Sequence, residues 1–169
     1  MKISKFAAPA FASLLASMAI VGSANADDKV LPGMTCVKQG DGGTLQVDQW
    51  GKARNLNATQ SLQVICPLVK DDAAWSVDTV QIRGLDGTTA MEIGCTAAAT
   101  DATQDFIIWG TKVYSGAGAI SNTGWYNLVI PTSSMPSIQN SGSSFVTCVI
   151  PPMQNGVASS IASVYWNET

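Results

Sequence analysis

The sequence predicts an all-β protein, an antiparallel β-sandwich of jelly-roll or immunoglobulin-like type with about eight strands and two disulfides. Three observations carry that prediction. Apolar and polar residues alternate with period two along most of the chain, and no stretch carries a 3.6-residue apolar stripe. Clusters of Gly, Pro, Asn and Asp punctuate the alternation at short intervals, as turns between strands do. Four cysteines, an even number, follow a leader of the kind that directs a chain into an oxidising compartment.

The leader comes first. Residues 1–26 contain Lys2 and Lys5 without an acid, then an apolar stretch, then Ala24-Asn25-Ala26, small residues where a signal peptidase reads. Cleavage is expected after Ala26, which leaves residues 27–169 as a single β-sandwich domain. The apolar stretch is broken by Pro9 and serines and is followed by Asp27-Asp28, so it reads as a signal peptide rather than a membrane anchor. No cysteine stands at the cleavage point to take a lipid, and no second apolar segment is long enough to span a bilayer. The expectation is a secreted or periplasmic bacterial protein with no membrane contact after cleavage.

Without the leader, seven basic residues face twelve acidic ones, a net charge of −5. No clustered Lys/Arg run remains, so nucleic acid is excluded as a partner. Ser, Thr, Asn, Gln and Gly fill the surface in place of charge, a composition that suits neutral polar ligands.

The strands follow in order. Residues 44–50 alternate; residues 61–66 form a second strand that is expected to stop at Pro67. A third runs over 76–85 to the turn Asp86-Gly87, whose glycine supplies positive φ, and returns over 88–95 as a hairpin. Residues 105–114, with Phe106-Ile107-Ile108-Trp109, make the next; then come 124–130, 143–150 and 157–166. The stretch 131–142 is the longest expected loop.

Cys36, Cys66, Cys95 and Cys148 allow three pairings. Cys36–Cys66 with Cys95–Cys148 is preferred, because each bond would then join neighbouring strands; sequence alone leaves the other two open. Closures of these lengths contribute about 3.5 to 4 kcal/mol each on the loop-entropy model. A four-cysteine zinc site lacks the close C-x-x-C pairs it would need.

The order of Pro32-Gly33, Cys36, Asn55-Leu56-Asn57, Cys66-Pro67, a central cysteine and Cys148-Val149-Ile150-Pro151-Pro152 resembles that of a family of small exported bacterial proteins. The resemblance covers nearly the whole chain after the leader. It implies a disulfide-linked β domain in the periplasm or medium. It implies no activity, so it assigns no catalytic residue.

Chemistry has to be sought directly. The absence of histidine removes Ser-His-Asp and Cys-His catalysis and the usual nitrogen ligands of metals, and no cofactor or metal is expected. Two carboxylates suffice for a glycosidase, which leaves Asp78, Glu92 and Asp105 as candidates if two share an open face. Asp41-Gly42-Gly43, Asp71-Asp72 and Asp86-Gly87 carry oxygens suited to calcium, but read first as turns. The aromatics are the better lead. Trp109, Trp125 and Tyr126 are the candidate residues for stacking on sugar rings; in Trp125-Tyr126, as in Tyr165-Trp166, neighbours on a strand point to opposite faces, so one of each pair belongs to the core.

The expected function is that of an exported, non-enzymatic binding or structural protein whose partner is a glycan or another cell-surface protein. A carboxylate-dependent glycan hydrolase is the alternative. A pilus-like assembly subunit is a third reading, opposed by an N-terminal segment, residues 27–35, too short and too polar to serve as a donor strand.

Overall fold

The computed structural model describes residues 28–71, 76–101, 103, 105–116, 124–131, 133 and 142–168. The leader and most of the 131–142 loop lie outside the described residues. Twelve strands are formed among the described residues: β1 (Asp28–Pro32), β2 (Val37–Gln39), β3 (Leu45–Val47), β4 (Ala53–Asn55), β5 (Leu62–Leu68), β6 (Val77–Leu85), β7 (Gly94–Thr100), β8 (Ile107–Trp109), β9 (Val113–Tyr114), β10 (Trp125–Ile130), β11 (Ser144–Ile150) and β12 (Ser160–Glu168). A 3-10 turn, Gly33–Thr35, follows β1. Among the described residues no helix is long and apolar enough to cross a membrane.

The strands form two six-stranded antiparallel sheets. The front sheet runs β10-β6-β12-β4-β3, with β1 also paired to β12; the back sheet runs β2-β5-β11-β7-β8, with β9 also paired to β7. Period-two alternation builds the layer between them. In β10 the even residues Tyr126, Leu128 and Ile130 are buried and the odd ones exposed; in β5 Leu62, Val64, Cys66 and Leu68 are buried. With Ile82, Val164 and Trp166 from the front sheet and Val146 and Ile150 from the back, they belong to one apolar core.

Both disulfides lie in the back sheet. Cys36–Cys66 ties the start of β2 to β5, and Cys95–Cys148 joins directly opposed residues of β7 and β11; the Cα atoms are 4.1 Å apart in each. This is the preferred pairing of the sequence reading.

The strand expectations need correction: twelve strands form among the described residues where about eight were expected, and the strand read over 105–114 divides into β8 and β9. The strand read over 44–50 ends at Val47, because Asp48 folds the chain into a turn described below. Strand β5 does not stop at Pro67; it continues to Leu68, with Pro67 opposite Phe145 of β11. On its other side β2 reaches only to Ile65, so the missing N–H of Pro67 breaks no ladder bond there.

The hairpin expected at Asp86-Gly87 is a crossover between sheets: β6 pairs with β10 and β12, whereas β7 pairs with β11, β8 and β9. Gly87 has no positive φ. It is glycine for lack of room, since a Cβ would come within 2.8 Å of the Val157 side chain. The buried Asp86 carboxylate holds the crossover, accepting the Thr88 N–H (3.2 Å) and the hydroxyls of Ser159 (3.3 Å) and Ser115 (2.7 Å). A turn and two strands from distant parts of the chain thus meet on one side chain.

Two further polar residues bind the layers. Asn55, fully buried, accepts the N–H groups of Thr44 and Asn57 and donates toward the carbonyls of Gln60, Ile150 and Pro151, linking the end of β4 to the exit of β11. Glu168, also fully buried, accepts the Trp166 indole N–H at 3.0 Å and the Lys29 ammonium at 2.9 Å, so its charge is paired.

The Cys95–Cys148 bond closes a loop of 53 residues. Replacing both cysteines with serine is expected to lower unfolding stability by about 4 kcal/mol, read as the shift of the urea midpoint at constant m.

Candidate functional site

The outward side of the front sheet is where side chains with ligand-binding character collect. Its position follows from the core: with Tyr126, Leu128 and Ile130 turned inward, Trp125, Asn127 and Val129 of β10 must face solvent. The register then sets Trp125 in one row with Leu85 of β6, Ser160 of β12 and Arg54 of β4. Asn127 and Arg83 form the next pair on the same face, joined by a hydrogen bond from the Arg83 Nε to the Asn127 Oδ1 at 3.4 Å.

Trp125 emerges directly after Gly124, whose carbonyl accepts the Asp86 N–H at 2.7 Å. Gly124 has φ +60°, and a Cβ there would lie 2.8 Å from the Asp86 carbonyl oxygen, so both conformation and space demand glycine. Its neighbour Tyr126 is only 5% exposed. The Tyr126 ring crosses over Gly84, and its hydroxyl donates to the Ser160 carbonyl at 3.2 Å. Burial, with the Asp86 charge nearby, pushes that hydroxyl well above its ordinary pKa. The expected role of Tyr126 as a stacking residue is therefore corrected: it presents no face to a ligand.

A residue not singled out from sequence completes the site. Trp50 stands at the tip of the β3–β4 hairpin and is 70% exposed, against 53% for Trp125. Asp48 builds that tip: its Oδ1 accepts the N–H of Trp50 at 2.9 Å and of Lys52 at 3.0 Å, and Gly51 closes the turn with φ +75°. The Met34 N–H donates to the Gly51 carbonyl at 2.7 Å, so the 3-10 turn braces the hairpin from below. That turn is itself wedged against β12 at Gly33, where any Cβ would collide with the Ile161 carbonyl.

Lys52 joins the two indoles. Its ammonium lies 5.4 Å from the Trp50 ring centroid and 4.7 Å from that of Trp125, within cation–π range of both. The two rings thus share one cation and have their centroids no farther apart than those two distances together. Further along the face, Tyr165 is half-buried, and its hydroxyl is raised above its ordinary pKa chiefly by its hydrogen bond to Asp28.

Trp109 is also exposed, at 51%, but it lies on β8 at the edge of the back sheet. Its ring meets Phe145 edge-on with centroids 6.0 Å apart. Register places Trp109, Ala98, Phe145 and Pro67 in one row on the outside of that sheet. Trp109 and Trp125 consequently do not share a face. Tyr165-Trp166 divides as its alternation implies, with Trp166 in the core.

The candidate acids are not assembled into a hydrolytic pair. Asp78 lies near the start of the nine-residue β6 and Glu92 beyond its far end, more than the roughly 5 to 9.5 Å that separates glycosidase carboxylates. Asp105 stands exposed ahead of β8 in the other sheet. Among the described residues no group of three or more Cys, Asp or Glu side chains is placed to hold a metal ion. The N-terminal segment weighed as a donor strand is paired in cis, β1 lying antiparallel to the chain's own β12.

No protein-family model matches the sequence, and no curated protein matches it. Solved structures of similar architecture include carbohydrate-binding modules and parts of larger proteins such as a family two carbohydrate esterase from Cellvibrio japonicus. The modules include a low-affinity xylan-binding module, CBM86, from Roseburia intestinalis (11% identity, 85% of this chain and 96% of that one, TM-score 0.47) and the xylan-binding module CBM15 (10%, 83% and 97%, 0.49). A third is CBM35 from Cellvibrio japonicus Abf62 (17%, 83% and 92%, 0.46). At these identities and scores the likeness is one of backbone architecture and transfers no site residue.

The hairpin tip responds to acid. Burial works to raise the Asp48 carboxyl, but the N–H groups of Lys52 and Trp50, with the charges of Lys52 and Arg54, outweigh it and hold the group below its ordinary 3.8. A depressed carboxylate contributes stability that is complete above 3.8 and is lost as pH falls through the lower folded value. The Trp50 emission, isolated by subtracting the spectrum of Trp50→Phe, is expected to shift in that acid range and to show no such transition in Asp48→Asn.

Proposed function

We propose that this chain is an exported, non-enzymatic glycan-binding protein that holds its ligand on the outer face of the front sheet. The observation that carries the reading is the pair of exposed tryptophans, Trp50 and Trp125, which share the ammonium of Lys52, with Asn127 and Arg83 on the same face. Indole faces shed water readily and match the apolar C–H faces of pyranose rings, while amide and guanidinium groups beside them meet the ring hydroxyls. Such a face combines apolar area with a few fixed polar groups, the pattern of a small-molecule site laid on an open surface.

The backbone that carries both indoles is held in place: Asp48 and the Met34 N–H fix the Trp50 hairpin, and the Gly124 carbonyl bonded to the Asp86 N–H fixes the start of β10, which lowers the backbone ordering that binding requires. Export is supported by the leader sequence and by two disulfides, which persist in oxidising compartments.

Affinity electrophoresis against a panel of soluble polysaccharides tests the reading. Retention on at least one glycan is expected, and Trp50→Ala and Trp125→Ala should each weaken it at least tenfold, about 1.4 kcal/mol. Trp109→Ala, on the opposite sheet, should leave it unchanged. Retention insensitive to both front-sheet substitutions would refute the site, and new reducing ends in the incubated glycan would refute the non-enzymatic role.

A further inference from the structure

The glycan face carries a charge that its polar-ligand reading does not require. Of the seven basic residues outside the leader, three, Lys52, Arg54 and Arg83, lie on this one face, in a chain whose acids outnumber its bases. Among the described residues none of the three is ion-paired; the ion pairs formed there belong to Lys29. Lys52 rests over two indoles, and Arg83 spends its Nε on Asn127, leaving the two terminal nitrogens of its fork free.

One acid, Asp48, feels the charges of Lys52 and Arg54 but makes no ion pair with either. Asp48 is turned into the hairpin by two backbone N–H groups, and Asp28, at the far end of β1, holds the Tyr165 hydroxyl. A cation held over aromatic rings is already stripped of part of its water, which lowers the cost of meeting an anion.

We infer that the face selects anionic glycans: Trp50 and Trp125 stack on the sugar rings while Lys52 and Arg83, with Arg54 contributing field, meet a carboxylate or sulfate carried by the polymer. This inference rests on the glycan-binding reading above and specifies the ligand class of that same site. The overall negative charge of the protein gives the prediction its edge, because a general attraction for polyanions would have to overcome net repulsion. Binding should therefore depend on local contacts and be screened by salt.

The test compares matched polymers with the full purified chain by isothermal calorimetry. Polygalacturonate is set against its fully methyl-esterified form, and dextran sulfate against dextran, so that each pair shares its backbone and differs in the charged substituent, and the two pairs separate carboxylate from sulfate. At 20 mM NaCl at least one charged form is expected to bind tenfold or more tighter than its neutral partner. The difference should shrink severalfold at 0.5 M NaCl, and Arg83→Gln and Lys52→Gln should each reduce it.

Equal, tryptophan-dependent affinity for charged and neutral forms would overturn the inference and leave the glycan-binding reading standing. Charge-dependent binding untouched by Trp50→Ala and Trp125→Ala would overturn it as simple ion exchange. Absence of binding to every polymer, here and across the wider panel, would overturn both. Circular dichroism of each variant separates loss of binding from loss of fold, and both glutamine substitutions are at solvent-reaching positions.

Discussion

Two sheets packed through a single apolar layer is the constraint on which the rest of the molecule depends. A strand in such a layer has no freedom over which residues it exposes; once one neighbour is committed to the core, the next is committed to solvent. Tyr126, with its hydroxyl bonded to the Ser160 carbonyl and its ring over Gly84, locks the phase of β10. Trp125 then has nowhere to point but outward. The same rule delivers Tyr165 to the surface and Trp166 to the interior. The binding face is in this sense the reverse side of the core.

Much of the architecture was legible in the sequence because period two is a local signal. The strands read over 124–130 and 143–150 correspond to β10 and β11 within a residue at each end, and the cysteine pairing followed from the expectation that bonded strands are neighbours. Failures occurred where a local signal has two meanings. Asp-Gly marks a hairpin or a crossover equally well; what decides here is Asp86 bonding to Ser115 and Ser159, residues 29 and 73 positions away. Alternation over 44–50 looked continuous, yet Asp48 followed by Gly51 is a turn signature that should have outweighed it.

The site was half visible. Trp125 could be nominated from its neighbours, but Trp50 was absorbed into a strand, and Lys52 drew no notice at all. Their relation depends on a contact between a hairpin tip and a strand more than seventy residues later, which no local pattern announces. Residues that the family resemblance did emphasise have architectural duties instead: Asn55 gathers five backbone groups, and Cys66-Pro67 lies at the end of a stapled strand pair. Motif salience and ligand contact have come apart, since packing at a sandwich rim is as demanding of residue type as recognition is.

The placement of both disulfides in the back sheet gives the two layers different fates under stress. Cys36–Cys66 and Cys95–Cys148 stitch β2 to β5 and β7 to β11, while the front sheet is held without a disulfide, by hydrogen bonds, burial and the Lys29–Glu168 ion pair. When backbone hydrogen bonds are lost, each bonded strand pair of the back sheet stays joined, whereas the strands of the front sheet separate freely. On refolding, the cost of closing those two loops is not met again. The two layers of one sandwich thus differ in what outlasts unfolding: one keeps its covalent neighbours, the other must find them all again.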